Sequence, residues 1–173
     1  MIEALALRMA KRIKSAAPDH PTSIQVLKYS LALILNAVFI IIATLTISIF
    51  TGETKEAATI LISYAILRQL SGGLHLKSGM QCVATTTVVF TGLSLITLSP
   101  TGVQIANVVS FALVLIFAPS NIEKQSRIKK DHYPRLKLYS AILVAINVLV
   151  ASPVIAVSFL VQSLTLIRLP EGR

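Results

Sequence analysis

"SLALILNAVFIIIATLTISIF", residues 30–50, contains no charged side chain. An α-helix needs about 20 apolar residues to cross the roughly 30 Å hydrocarbon core of a bilayer. Inside that core every backbone N–H and C=O needs an internal partner, which a helix supplies. The stretch therefore predicts a first transmembrane helix and sets the class of the whole chain. The 173 residues are 54% hydrophobic and 13% charged, with a mean hydropathy of +0.78. A soluble domain carries about 25% charged residues. An all-α integral membrane bundle, forming a single membrane domain over residues 1–173, is the expectation.

Further apolar runs follow at 57–70, 83–99 and 103–118. Residues 138–169 are almost wholly apolar, with Ser152-Pro153 in the middle. A continuous helix over that run would be about 48 Å long, which exceeds the hydrocarbon core. Splitting it at Pro153 gives spans near 138–152 and 154–169, six in all; a kinked or re-entrant single segment, and five spans, are the alternatives. Upstream, residues 2–16 place Ile2, Leu5, Met9 and Ile13 on one helical face, with Arg8, Lys11, Arg12 and Lys14 over much of the rest. That pattern fits an amphipathic helix lying on an anionic membrane surface. The plainer alternative is a helix packed on its own protein. The prolines of "PDHPT", 18–22, end it.

Charge orients the spans. The formal net charge is +9, from 16 Lys and Arg against 7 Asp and Glu. With the N-terminus inside, the outer loops would be 51–56, 99–102 and the turn at 152–153, and Lys55 is their only cation. The other fifteen fall in inner segments or at inner ends of spans. Six spans with both termini cytoplasmic thus satisfy the positive-inside rule. The same bias accounts for the basic balance without nucleic acid, and no basic stripe interleaved with aromatics occurs. The only cysteine excludes an internal disulfide and thiolate-rich metal sites. The three histidines, His20, His75 and His132, lie far apart in the chain. No metal or other cofactor is expected.

The stretch "RQLSGGLHLKSGMQC", 68–82, falls on the predicted inner side and holds that cysteine, Cys82, with His75 seven residues before it. A thiolate is the reactive form of cysteine, and an imidazole can take the thiol proton and later protonate a leaving amine. On an unbroken helix the two would stand about 10.5 Å apart, so a dyad needs a bent chain. Gly72, Gly73 and Gly79 offer that bend. Ser78 is suited to cap the next helix, which would place Cys82 in its first turn, where the dipole favours a thiolate. Arg68 and Lys77 add positive potential. No Asp or Glu lies in the stretch to orient the histidine; Gln69, Ser71 and Gln81 are candidates. The bland alternatives are a cysteine serving as small apolar filler and a histidine that is only an interfacial polar group.

Arg68, Gly73, His75 and Cys82, spaced R-x4-G-x-H-x6-C, resemble the signature of the accessory gene regulator B family. "FAPSN" at 117–121 is similar to that family's Ala-Pro element, and the basic N-terminal helix and multi-span body fit as well. The resemblance implies a bacterial plasma-membrane cysteine endopeptidase that processes a precursor peptide into a cyclic autoinducer for quorum sensing. By that likeness Cys82 would be the nucleophile and His75 its base, with Arg68, Gly73, Lys77 and Gln81 supporting the site. The precursor is then the expected partner beside the bilayer, and a homodimer stays open. Family precursors carry an acidic tail, which Arg127, Lys129 and Lys130 in the basic loop 119–137 could attract; topology and lipid contact explain those charges equally well. A small transporter, or a non-enzymatic scaffold with a structural cysteine, is the competing class. Its spans contain almost no ionisable group to line a pathway.

Overall fold

A computed structural model describes residues 1–74, 78–122 and 130–167. Their secondary structure is helical: α1 (Ile2–Ala16), α2 (Ile24–Thr51), α3 (Thr54–Ser71), α4 (Gly79–Ser94), α5 (Pro100–Phe117), α6 (Tyr133–Val150) and α7 (Pro153–Leu164), with a 3₁₀ turn at Lys130–His132 before α6. Three segments are long and apolar enough to cross a membrane: Ile24–Thr51, Pro100–Phe117 and Lys130–Val150. The chain divides into two compact units, Met1–Gly52 with His75–Thr91, and Glu53–Leu74 with Gly92–Arg173.

Caps explain where the helices start. The Ser23 hydroxyl accepts from the Val26 N–H at 3.3 Å, which opens α2 several residues before the apolar run at 30–50. Gly52, at φ +80°, closes it in the left-handed conformation that glycine adopts without steric cost. The two Ser-Pro pairs use one device. Ser99 accepts from the Gly102 N–H at 3.2 Å and Ser152 from the Ile155 N–H at 3.4 Å. Pro100 and Pro153 stand at the first helical position, where a missing N–H costs nothing. Pro153 thus starts a helix; the break before it is made by Ala151, at φ +52°. Two helices, α6 and α7, occupy the run at 138–169, and α7 stops at Leu164. Likewise α4 runs from Gly79 to Ser94, and Ser99 belongs to the cap of α5.

In the first unit α1 packs against α2. Its buried positions are Ile2, Ala6 and Ala10, spaced by four as one helical face requires. Small alanines let the two backbones approach. Leu5 and Ile13, on the apolar face expected to meet a membrane surface, are exposed on the protein.

In the second unit α3, α5, α6 and α7 pack around Leu67, Val114, Ala118, Ala141, Val144, Phe159 and Leu166. Val103, Ala106 and Ala156 form a smaller cluster between α5 and α7. Lipid tails are as apolar as leucine, so close packing and hydrogen bonds between helices do the joining. Ser63 of α3 donates to Ser158 of α7 at 2.8 Å, and Asn147 of α6 donates to Asn107 Oδ1 of α5 at 2.9 Å. The Asn147 side chain also accepts from the Ser152 N–H at 3.3 Å and donates to the Ser152 carbonyl at 3.2 Å. One buried amide therefore joins two helices and braces the α6–α7 turn.

Candidate functional site

The expected site residues divide between the two units. Cys82 lies in the first, near the start of α4, half-buried and free. Its N–H donates to the Ser78 carbonyl at 3.0 Å, the opening hydrogen bond of the helix. Gln81 is exposed beside it. Gly79 is buried, and its need for glycine is steric, not conformational. A Cβ there would lie 2.7 Å from Asn36 Oδ1 and 3.1 Å from Glu3 Oε1. Gly79 admits α1 and α2 to the end of α4.

Arg68 and Gly73 lie in the second unit, Arg68 in the last turn of α3 and Gly73 on the segment that leaves it. Gly72, at φ +74°, and Gly73, at φ +130°, turn the chain out of the helix. Gly72 pairs with Ser120 as an isolated bridge: the Gly73 N–H donates to the Ser120 carbonyl at 2.8 Å, and the Ser120 N–H to the Ser71 carbonyl at 2.9 Å. The Ala-Pro element is therefore part of the structure that holds the glycine pair, since Ser120 follows Ala118 and Pro119. The Leu74 N–H donates to the Thr165 carbonyl at 2.9 Å.

The Arg68 guanidinium reaches along this segment. Nη2 donates to the Leu74 carbonyl at 2.6 Å, while Nη1 donates to the Tyr64 hydroxyl at 3.2 Å and lies 3.5 Å from Gln162 Oε1. It also sits over the Tyr64 ring, 5.8 Å from the centroid. Five donors in a planar fork suit a residue that must hold several acceptors at once. The arginine and Gly73 meet, for a Cβ on Gly73 would come within 3.5 Å of Nη1 and 2.6 Å of Thr165 Oγ1.

Gln162, Thr165 and Ser120 were not singled out by the sequence. Gln162 is fully buried; its Nε2 donates to the Gly72 carbonyl at 2.6 Å and to Ser71 Oγ at 3.1 Å. A lone amide in the apolar run 154–169 was the available signal, because buried polar groups there need partners. Glu3, which accepts from the Gly79 N–H at 2.9 Å, had no signal in the sequence.

His75, Lys77, Arg127 and Lys129 lie outside the described residues. Lys130 is exposed in the 3₁₀ turn. Among the described residues no group of three or more His, Cys, Asp or Glu gathers as a metal site would require.

No solved structure matches this chain. An AgrB-like protein of Halalkalibacterium halodurans is 25% identical over 152 residues, which cover 87% of this chain and 77% of that protein. The family model described as accessory gene regulator B matches residues 6–166, nearly the whole length, and the chain accordingly belongs to the accessory gene regulator B family.

Proposed function

We propose that this membrane protein is a cysteine endopeptidase that cuts a precursor peptide and helps close it into a cyclic autoinducing peptide. The carrying observation is the placement of the single cysteine, half-buried in the first turns of α4 at a helix start seated by α1 and α2. Family membership and the R-x4-G-x-H-x6-C spacing support the roles. In the proposed reaction His75 takes the Cys82 thiol proton, and the thiolate adds to a peptide carbonyl of the precursor. The tetrahedral intermediate collapses as His75 protonates the departing amine, and the C-terminal fragment leaves with a new amino group. Cys82 then holds the N-terminal part as a thioester. A thiol or hydroxyl within that peptide attacks the thioester, closing a thiolactone or lactone ring and returning Cys82 to the thiol. Exclusion of water favours the internal attack over hydrolysis.

The test is mass spectrometry of the protein in nanodiscs, incubated with the peptide encoded by a neighbouring short reading frame. A peptide adduct on Cys82, labile to hydroxylamine, is the expected species. Cleavage by a protein lacking the thiol would overturn the reading.

Two further results are expected. First, loops 71–82 and 119–137 and both termini face the cytoplasm, following the distribution of cations. On a Cys82→Ser background, a membrane-impermeant thiol reagent outside intact cells should label a cysteine placed at Thr54 and spare ones placed at Gln125 and Gly172. Labelling at 172 without labelling at 125 would mean an odd number of spans. Second, reversing the charges of Lys129 and Lys130 should weaken processing of a precursor with an acidic tail at low salt, because attraction between exposed charges is screened by salt. A precursor with a neutral tail should be little affected. Equal losses for both tails would contradict recruitment by this loop.

A further inference from the structure

The start of α4 is built from three helices of the first unit. The Gly79 N–H is among the first four N–H groups of the helix, which have no acceptor within it. Glu3 of α1 supplies one, with Oε1 at 2.9 Å. Asn36 of α2 closes the other side: its Nδ2 would lie 3.2 Å from a Cβ at position 79, and its Oδ1 at 2.7 Å. Asn36 is 9% exposed, and its Oδ1 has no hydrogen-bond partner among the described residues. A buried polar atom that forgoes a partner is costly, so its position beside Gly79 calls for a reason.

We infer that Glu3 and Asn36 are positioning residues for Cys82: they seat the first turn of α4 between α1 and α2 and thereby set where the thiol stands. This rests on the reading of Cys82 as the nucleophile. Gly79 and Cys82 are three residues apart, about 4.5 Å along the helix axis, so fixing the first N–H fixes the turn that bears the sulfur. A nucleophile must be held near its attack geometry for the acyl transfer to profit from proximity.

The Glu3 carboxylate sits at the positive end of the α4 dipole, which stabilises both the carboxylate and the helix start. The Gly79 hydrogen bond, followed by the Glu3 backbone N–H, holds the carboxyl below the usual carboxylate range; the Met1 ammonium at 3.8 Å and Lys28 act in the same direction. Because the folded-state value is depressed, the contact contributes fully above the ordinary carboxylate range and is lost as the pH falls through the depressed value.

The experiment uses the full chain in nanodiscs, with iodoacetamide as the probe of the single thiol and amide hydrogen exchange over 79–82 as the probe of the helix start. Glu3→Gln keeps a carbonyl oxygen for the Gly79 N–H and removes the charge. Exchange should stay slow, and the alkylation rate at a fixed pH should stay at the parent's. Glu3→Ala should accelerate exchange at Gly79 about two- to 30-fold, as loss of a helix cap does, and should alter the alkylation rate at that pH. Gly79→Ala should do the same by colliding with Asn36, and Asn36→Ala added to it should reverse the change. A contact that serves stability alone would leave the thiol's alkylation rate unchanged in Glu3→Ala. That result would overturn the inference, as would exchange over 79–82 that ignores Glu3→Ala. Should Gly79→Ala fail to fold, the two Glu3 variants decide alone. Failure of the peptidase reading itself shows elsewhere, as precursor cleavage surviving Cys82→Ala.

Discussion

Cys82→Ala is expected to abolish precursor cleavage, because it removes the only thiol in the chain. Cys82→Ser keeps an attacking atom, but an alcohol gives up its proton far less readily than a thiol, so any remaining reaction should be slow and should leave an oxygen ester in place of a thioester. His75→Ala should lower the acylation rate by about 10²- to 10⁴-fold, the usual contribution of a positioned proton-transfer group. Binding of the precursor should be largely retained, since neither change touches the cationic loop. The variants therefore fail in different ways. The alanine at 82 gives no adduct at any time, whereas the alanine at 75 gives the same adduct slowly. Iodoacetamide should also react more slowly with His75→Ala near neutral pH; a smaller, permeant reagent serves as control for access. Measured by single-turnover mass spectrometry, cleavage by Cys82→Ala at the parent rate would end the assignment of a cysteine peptidase. Equal rates of acylation in His75→Ala and parent would remove the histidine from the mechanism and leave the cysteine in it.

The helices were legible because apolar length and proline spacing are local properties. The run at 30–50 announced α2, and the length of the run at 138–169 pointed to the two helices, α6 and α7, found there. Their ends were less legible. Ser23 begins α2 well before the apolar run, since a cap depends on one hydroxyl and not on hydrophobicity. The glycine pair marks a turn, and it follows directly on the last turn of α3, which carries Arg68. Glu3 was not legible: its partner is 76 positions away, and a glutamate in a basic amphipathic helix has an ordinary solvated role as its first explanation. The steric role of Gly79 was hidden for a related reason. Glycine is used both for backbone freedom and for close approach, and the crowding by Asn36 exists only in the fold.

Gln162→Leu is expected to release the segment 71–74 while leaving the helices around it assembled. Most groups that Gln162 touches have a second partner. Ser71 Oγ also donates to the Leu67 carbonyl at 2.7 Å, Thr165 Oγ1 to the Gln162 carbonyl at 2.7 Å, and Arg68 retains Leu74 and Tyr64. The Gly72 carbonyl, bonded by Nε2 at 2.6 Å, bears the loss. An unsatisfied buried acceptor costs about 1–3 kcal/mol. If that cost is relieved by local opening, exchange of the Gly73 and Leu74 amides should accelerate about five- to 150-fold. Those amides are bonded to Ser120 and Thr165, so they report on both anchors of the segment. Leu74 immediately precedes His75 in the chain, and a displacement of about 1 Å at a reacting group can cost on the order of 10²-fold in rate. Precursor processing should therefore fall steeply in Gln162→Leu, and more in Gln162→Glu, whose carboxylate has no proton for Gly72 and draws Arg68 from Leu74. Ser63→Ala, which removes another α3–α7 hydrogen bond further along the same helices, should leave exchange at Gly73 and Leu74 unchanged. Equal acceleration in Ser63→Ala and Gln162→Leu would mean that the α3–α7 packing as a whole, and not this one amide, holds the segment.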